Sequence, residues 1–210
     1  MLAIRLYRQS DEAAVRRICL LTGDNGGDAT ALFPDEDLLS DIFAIPYTVL
    51  DPELCFVAVD GDTDAVLGYI VGTADSTHYV QRFQDEWLPR VRDRHAEPPA
   101  EVDWDKDRQA AMAWLLHHPS VDSRVVAEYP AHLHIDLLPE GQGRGGGRAL
   151  MKHFLAAVRE RGADGVHLYV GLANTGARAF YAKVGFQPLA LPGDEDRASG
   201  LLVRSTAMDG

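Results

Sequence analysis

The sequence predicts a mixed α/β fold, a central sheet flanked by helices, on three observations. Short runs of alternating or β-branched apolar residues recur along the chain. Segments with apolar residues at helical spacing separate them. In the second half, a strand, a glycine-rich loop, an amphipathic helix and another strand follow one another directly, which is the order of a strand–helix–strand unit.

The elements follow in order. Ala3 to Tyr7 (AIRLY) alternates apolar and polar and reads as the first strand. Ser10 is placed to cap a helix, with Asp11 and Glu12 in its first turn and Ala14, Val15, Ile18, Cys19 and Leu21 at helical spacing. Gly23 to Gly27 (GDNGG) is a loop, and Asp35 to Phe43 carries a second helical pattern. Cys55–Val59 and Val66–Thr73 flank the turn Asp60–Asp64 and make an antiparallel hairpin; Gly68 and Gly72 inside its second strand point to a bulge or a close approach.

Tyr79 to His118 breaks this rhythm and holds all three tryptophans, Trp87, Trp104 and Trp114. Two helical parts, Tyr79–Arg94 and Asp105–His117, flank Glu97-Pro98-Pro99. About 40 residues are too few for a separate core. The stretch is therefore a helical insertion between the third and fourth strands of one domain spanning 1–210. His132–Leu138 (HLHIDLL) is the fourth strand, and Arg148–Arg161 a helix with Leu150, Met151, Phe154, Leu155 and Val158 on one face, ended by Gly162. Gly165–Val170 is a strand, Asn174–Val184 a helix stopped by Gly185, and Phe186 opens a final hairpin running through Leu201–Arg204.

Composition narrows the function. Twenty Lys and Arg against thirty-two Asp and Glu give a net charge of −12. That disfavours nucleic acid and anionic membranes as partners and suits a cationic one such as an amine. No run approaches the roughly 20 apolar residues that cross a bilayer. The opening MLAIRLYRQSDEAAV is not a secretory signal. Cys19 and Cys55 make neither a disulfide framework nor a metal-type spacing, so a reducing cytoplasm is expected.

Five glycines lie between Gly141 and Gly147. Directly before a helix, such a loop can turn sharply and aim its N–H groups at an anion, where the helix dipole adds to the attraction. A phosphate or pyrophosphate is the natural guest. A P-loop is excluded because Arg148-Ala149 follows Gly147 where Lys-Ser/Thr is required. A dinucleotide fingerprint fits formally, but Tyr169-Val170 stands where its acidic residue belongs.

At these residues the chain resembles the GCN5-related N-acetyltransferase (GNAT) superfamily. Gln142-x-x-Gly145-x-Gly147 matches its acyl-CoA signature Q/R-x-x-G-x-G/A. Asn174, Phe180-Tyr181 and Gly185-Phe186 match its C-terminal N-x5-FY-x3-GF block. Asp51-Pro52-Glu53-Leu54-Cys55-Phe56-Val57, Leu67-Gly68-Tyr69, Trp87-Leu88-Pro89 and His118-Pro119-Ser120 are similar, more narrowly, to the acetyltransferase-like C-terminal domain of O-GlcNAcase. The resemblance implies acetyl-CoA as cofactor and an amine as acceptor, a small molecule or a protein lysine or N-terminus, handled by a monomer or homodimer. An acetyl-CoA-binding module without efficient turnover is the alternative.

The resemblance also assigns roles. The backbone of Ile135, Asp136 and Leu137 would hold the pantetheine arm, although Ile135 and Leu137 also read as core. The loop Gln142, Gly143, Arg144, Gly145, Gly146, Gly147, with Arg148, would hold the pyrophosphate. Arg144 and Arg148 read equally as solvated surface charges. Asn174 would steady the cofactor or cap its helix. Tyr181 would give the leaving thiolate a proton, against a plain aromatic core role. His132 and His134 share one strand face with Asp136 and occupy the family's base position; they read otherwise as a polar cleft wall. No metal is required, and the three are not assigned one.

Overall fold

The computed structural model describes residues 2–99, 102–104, 106–192 and 199–207. Seven strands, β1 (Leu2–Leu6), β2 (Phe56–Asp60), β3 (Val66–Thr73), β4 (Ala131–Leu137), β5 (Gly165–Gly171), β6 (Gln187–Pro188) and β7 (Ser199–Ser205), form one sheet in the order β1-β2-β3-β4-β5-β7-β6. All neighbours are antiparallel except β4 and β5. The helices are α1 (Glu12–Thr22), α2 (Leu38–Phe43), α3 (Ile45–Leu50), α4 (Ser76–Arg82), α5 (Leu88–Val91), α6 (Arg108–His117), α7 (Ser123–Val126), α8 (Gly146–Glu160) and α9 (Thr175–Lys183).

Alternation along the strands separates two cores. Tyr69 and Val71 of β3 pack with α1, α2, α3 and the insertion, while Ile70 and the Leu133 face of β4 pack beneath α8. The apolar stripe of α8, from Leu150 through Val158, is buried as expected. Gly72 explains itself here: a Cβ would meet the His132 carbonyl oxygen and come within 2.6 Å of the Phe154 ring.

The insertion lies between β3 and β4, as the sequence predicts, and is tied to α2 by a buried polar knot. The Asp41 carboxylate, fully buried, accepts from Arg16, Arg94 and His95, each at 2.8 Å. The Trp87 indole donates to the Asp41 carbonyl at 2.8 Å, and the second His95 nitrogen lies 2.7 Å from Asp35.

Several boundaries differ from the sequence reading. Ser10 does not cap α1. The Asp11 carboxylate takes the Arg8 N–H at 2.8 Å and the Arg5 guanidinium at 2.6 and 2.9 Å, closing a tight turn at Gln9–Asp11, so the helix starts at Glu12. Ile45–Leu50 is helical, with Pro46 in its first turn, where a missing N–H costs nothing. The expected helix Tyr79–Arg94 starts earlier, capped by Asp75, and widens into a π turn at Phe83–Trp87. Pro89 cannot donate back along the helix, which accounts for the wide turn just before it. The expected start at Asp105 and the middle of the last hairpin, 193–198, lie outside the described residues.

Candidate active site

β4 and β5 pair only at Ala131–Val166 and His132–His167, and then separate. From Leu133 to Leu137, β4 keeps a ladder partner on the β3 side alone. Backbone groups on the opposite edge face a cavity of about 1370 Å³ instead of a strand. An open edge in mid-sheet is a place for something extended to pair with backbone.

The glycine-rich loop stands at one end of this cavity. Gly143 and Gly145 have φ of 69° and 82°, in the left-handed region, and a Cβ on either would touch nothing within 4 Å. Glycine is needed there for backbone conformation rather than for space. The turn at Gly145 starts α8 at Gly146, two residues before the expected Arg148; its first backbone bond runs from Ala149 N–H to the Gly145 carbonyl at 3.0 Å. The N–H groups of Gly146, Gly147 and Arg148 therefore have no partner within the helix. The Gln142 amide donates to the Leu137 carbonyl at 2.9 Å and closes the loop. Arg148 lines the cavity, whereas Arg144 lies 3.6 Å from Asp60 and donates to the Glu140 carbonyl, away from it. A Cβ on Gly147 would sit 3.2 Å from the Phe180 ring, which is how α9 comes close enough to bring Tyr181 in.

Asn174 caps α9 by accepting from the Ala177 N–H at 3.0 Å and also lines the cavity. Facing it is the GDNGG loop, a tight hairpin in which Asp24 and Gly27 exchange two backbone bonds of 2.9 Å around Asn25 and Gly26, both at positive φ. A Cβ on Gly171, at the end of β5, would lie 2.5 Å from the Asn25 amide oxygen. From the insertion, Arg108 reaches Asp24 at 3.2 Å, and Trp104 and Met112 join Phe33, Leu39 and Phe43 in lining the cavity. The insertion thus forms part of the cavity wall.

The candidate chemical groups meet at the β4 face. His134, Asp136 and Tyr181 line the cavity, and His132 does not. His132 lies between the Tyr47 hydroxyl, 2.8 Å from Nε2, and the Ser76 hydroxyl, 2.6 Å from Nδ1. The same Tyr47 oxygen is 3.2 Å from His134 Nε2. Burial, then the neighbouring His167 and His134, hold His132 well below the usual imidazole range; burial, then His167, push His134 down to about 4. Both rings are neutral at neutral pH. Asp136 accepts from the Tyr69 hydroxyl at 2.6 Å, yet burial raises its pKa. Burial, with the Asp136 charge adding to it, raises the Tyr181 phenol and keeps it protonated. Among the described residues no three His, Cys, Asp or Glu side chains group as metal ligands.

Tyr47, Tyr69 and Ser76 are the functional neighbours that sequence reasoning missed. They come from α3, β3 and the start of α4, and no fixed spacing links them to HLHIDLL.

The Acetyltransferase (GNAT) family profile matches residues 26–186. The chain belongs to the GNAT acetyltransferase family. GNAT enzymes transfer acetyl groups from acetyl-CoA, and the open β4 edge, glycine cradle and free helix N-terminus fit that ligand. A solved structure named SsHAT is 44% identical, covers 99% of each chain and superimposes with a TM-score of 0.88. Protein O-GlcNAcase of Mus musculus is 23% identical over 185 residues, 87% of this chain and 20% of the relative. Mycothiol acetyltransferase of Beutenbergia cavernae is 51% identical over 53 residues, 25% of this chain and 18% of the relative. The chain thus spans about a fifth of the length of these curated relatives.

Proposed function

We propose that the protein is an acetyl-CoA-dependent N-acetyltransferase that acetylates a primary amine by direct attack. The observation that carries this is the cavity itself. One open β-edge leads into a left-handed glycine cradle at one end and reaches His134, Asp136 and Tyr181 within the same space. The N–H groups of Gly146, Gly147 and Arg148, with the Arg148 side chain, would hold the pyrophosphate, and the β4 edge from Leu133 to Leu137 the pantetheine arm. Bound there, acetyl-CoA supplies an activated acetyl thioester.

The chain's own residues then manage protons. Asp136 offers the arriving ammonium a carboxylate within the cavity; the ammonium loses one proton to water before attack, because only the neutral amine has a lone pair. His134, neutral and lining the cavity, takes a proton from the amine nitrogen, whose N–H acidifies as the nitrogen bonds to carbon. Tyr181 carries the proton that the departing thiolate needs, and its buried phenol holds it at neutral pH. Cys19 and Cys55 are buried, their thiols pushed up by burial, and neither serves as a nucleophile. The acceptor is an amine, carried by a small molecule or presented as a protein lysine or N-terminus.

Calorimetry with acetyl-CoA tests the binding half, and release of free CoA on adding amines tests the transfer half. Failure to bind acetyl-CoA sinks the reading entirely; binding without CoA release against a broad amine panel sinks the transfer.

A further inference from the structure

We propose that Tyr47 is the positioning residue of this site. It fixes His134 as the tautomer with hydrogen on Nε2 and leaves Nδ1 as the bare, proton-accepting nitrogen. The proposal rests on the acetyltransferase reading for its purpose, but the tautomer itself follows from hydrogen-bond direction between two partly buried, neutral rings.

The direction is set at the far end of a chain of groups. The Pro130 carbonyl can only accept, and it lies 2.5 Å from the Ser76 hydroxyl oxygen. Two oxygens that close need a hydrogen between them, so Ser76 donates its only hydroxyl hydrogen to Pro130. Ser76 must then accept from His132 Nδ1 at 2.6 Å. A neutral His132 with hydrogen on Nδ1 has a bare Nε2, which accepts from the Tyr47 hydroxyl at 2.8 Å. With its hydrogen spent on His132, the Tyr47 oxygen accepts from His134 Nε2 at 3.2 Å. Among the described residues His134 Nδ1 has no hydrogen-bond partner, and the side chain lines the cavity.

Tyr47 is well held for this task. Its ring is buried and stacks on Tyr79, with centroids 4.4 Å apart at an interplanar angle of 10°. Phe43 lies against the His134 ring at 5.3 Å from the neighbouring helix. The titratable groups that act on His134 are Tyr47 from α3, His132 from β4 and His167 from β5; Asp136 from β4 and Tyr181 from α9 share its cavity. During transfer the proton passes from the amine nitrogen to Nδ1, giving an imidazolium whose Nε2–H still donates to the Tyr47 oxygen. The amine N–H bond breaks as the Nδ1–H bond forms, the new C–N bond replaces the broken C–S bond, and the departing thiolate takes its proton from Tyr181.

Nitrogen-15 NMR of the histidine rings in the full chain tests this directly, with or without turnover. At neutral pH, His134 should show hydrogen on Nε2 and His132 hydrogen on Nδ1. The opposite tautomer at His134, or an even mixture, overturns the proposal whatever the activity. Tyr47→Phe keeps the stacking and removes the hydroxyl. It should turn His134 into a tautomer mixture and lower kcat/KM by about tenfold, less than losing a base outright, with acetyl-CoA affinity unchanged and the acid limb of the pH profile moved. An unchanged spectrum and profile in Tyr47→Phe would defeat the idea. Should that variant not fold, Ser76→Ala cuts the chain at its other end and should loosen the His132 tautomer first; fixed tautomers at both histidines in it would be equally damaging. Absent acetyl transfer in every protein, with the wild-type tautomers as stated, would sink the enzymatic reading and leave Tyr47's role standing.

Discussion

The two walls of the cavity are built from different materials. The wall from β4 through α9 is largely backbone: an unpaired strand edge, glycines at positive φ and the free N–H groups of α8. The opposite wall, from α1 through α2 and the insertion, is side chains: Phe33, Leu39, Phe43, Trp104, Met112 and the Arg108–Asp24 pair. A backbone wall suits a ligand recognised by shape and phosphate. A side-chain wall can change its acceptor without disturbing the sheet.

The contrast can be broken at several strengths. Tyr181→Phe removes a proton donor at the backbone wall and should lower kcat by about 10²–10⁴-fold, with the calorimetric affinity for acetyl-CoA intact. A variant as fast as wild type would leave Tyr181 as packing alone. Asp41→Ala strips the buried carboxylate that ties the insertion to α2 and should cost about 3–5 kcal/mol in urea unfolding, the scale of a broken buried ion pair. A loss under 1 kcal/mol would mean that the insertion sits on the body by apolar contact, not by this knot.

Acid should weaken the fold through the same histidines. His132, His134 and His167 have folded pKa values below their unfolded value of about 6.5. As pH falls through 6.5 toward 4, the unfolded chain takes up protons first, so stability present above 6.5 is lost in that window. Asp136, raised by burial, works the opposite way, because its folded form is relieved by protonation. The histidines outnumber it, and His134 alone contributes about 1–2 kcal/mol between pH 6.5 and 5. His134→Gln should flatten the drop in melting temperature from pH 7 to 5; an identical drop would place the proton uptake elsewhere.

Two smaller effects separate the walls. Gly145→Ala forces a side chain into the left-handed region at about 1–2 kcal/mol, so acetyl-CoA should bind about tenfold more weakly while amine KM stays put. Arg108→Ala breaks an exposed pair worth about 0.2–1 kcal/mol and should move amine KM, with acetyl-CoA affinity unchanged. Reversed readouts would reassign the walls.

The same contrast explains how much could be read from the sequence. The backbone wall was legible because glycine requirements leave a fixed spacing: Gln142-x-x-Gly145-x-Gly147, and with it Asn174 and Phe180-Tyr181, sit where the cavity is. Alternation in HLHIDLL also separated the Leu133 core face from the His134 face. The side-chain wall left no such trace. Tyr47 sits in IPYTVL, a run without helical period whose turn comes from Pro46, and Ser76 reaches His132 from 56 residues away. Ser10 misled because Asp11, with two arginine contacts, outcompeted it for the turn. Long-range packing, not local propensity, decided these positions.

One consequence of the short β4–β5 ladder concerns the molecule as a mechanical object. Two residue pairs join β1 through β4 to β5 through β6, and α8 bridges the rest by packing. The two pieces of sheet can change their mutual angle while breaking little ladder. A ligand laid along the β4 edge would brace that seam from within. Its binding free energy then adds to the folding free energy by mass action, about 2.7 kcal/mol at a hundred times Kd. Resistance to proteolysis and the melting point would rise with the logarithm of acetyl-CoA concentration, making the durability of the protein itself a gauge of its acyl supply.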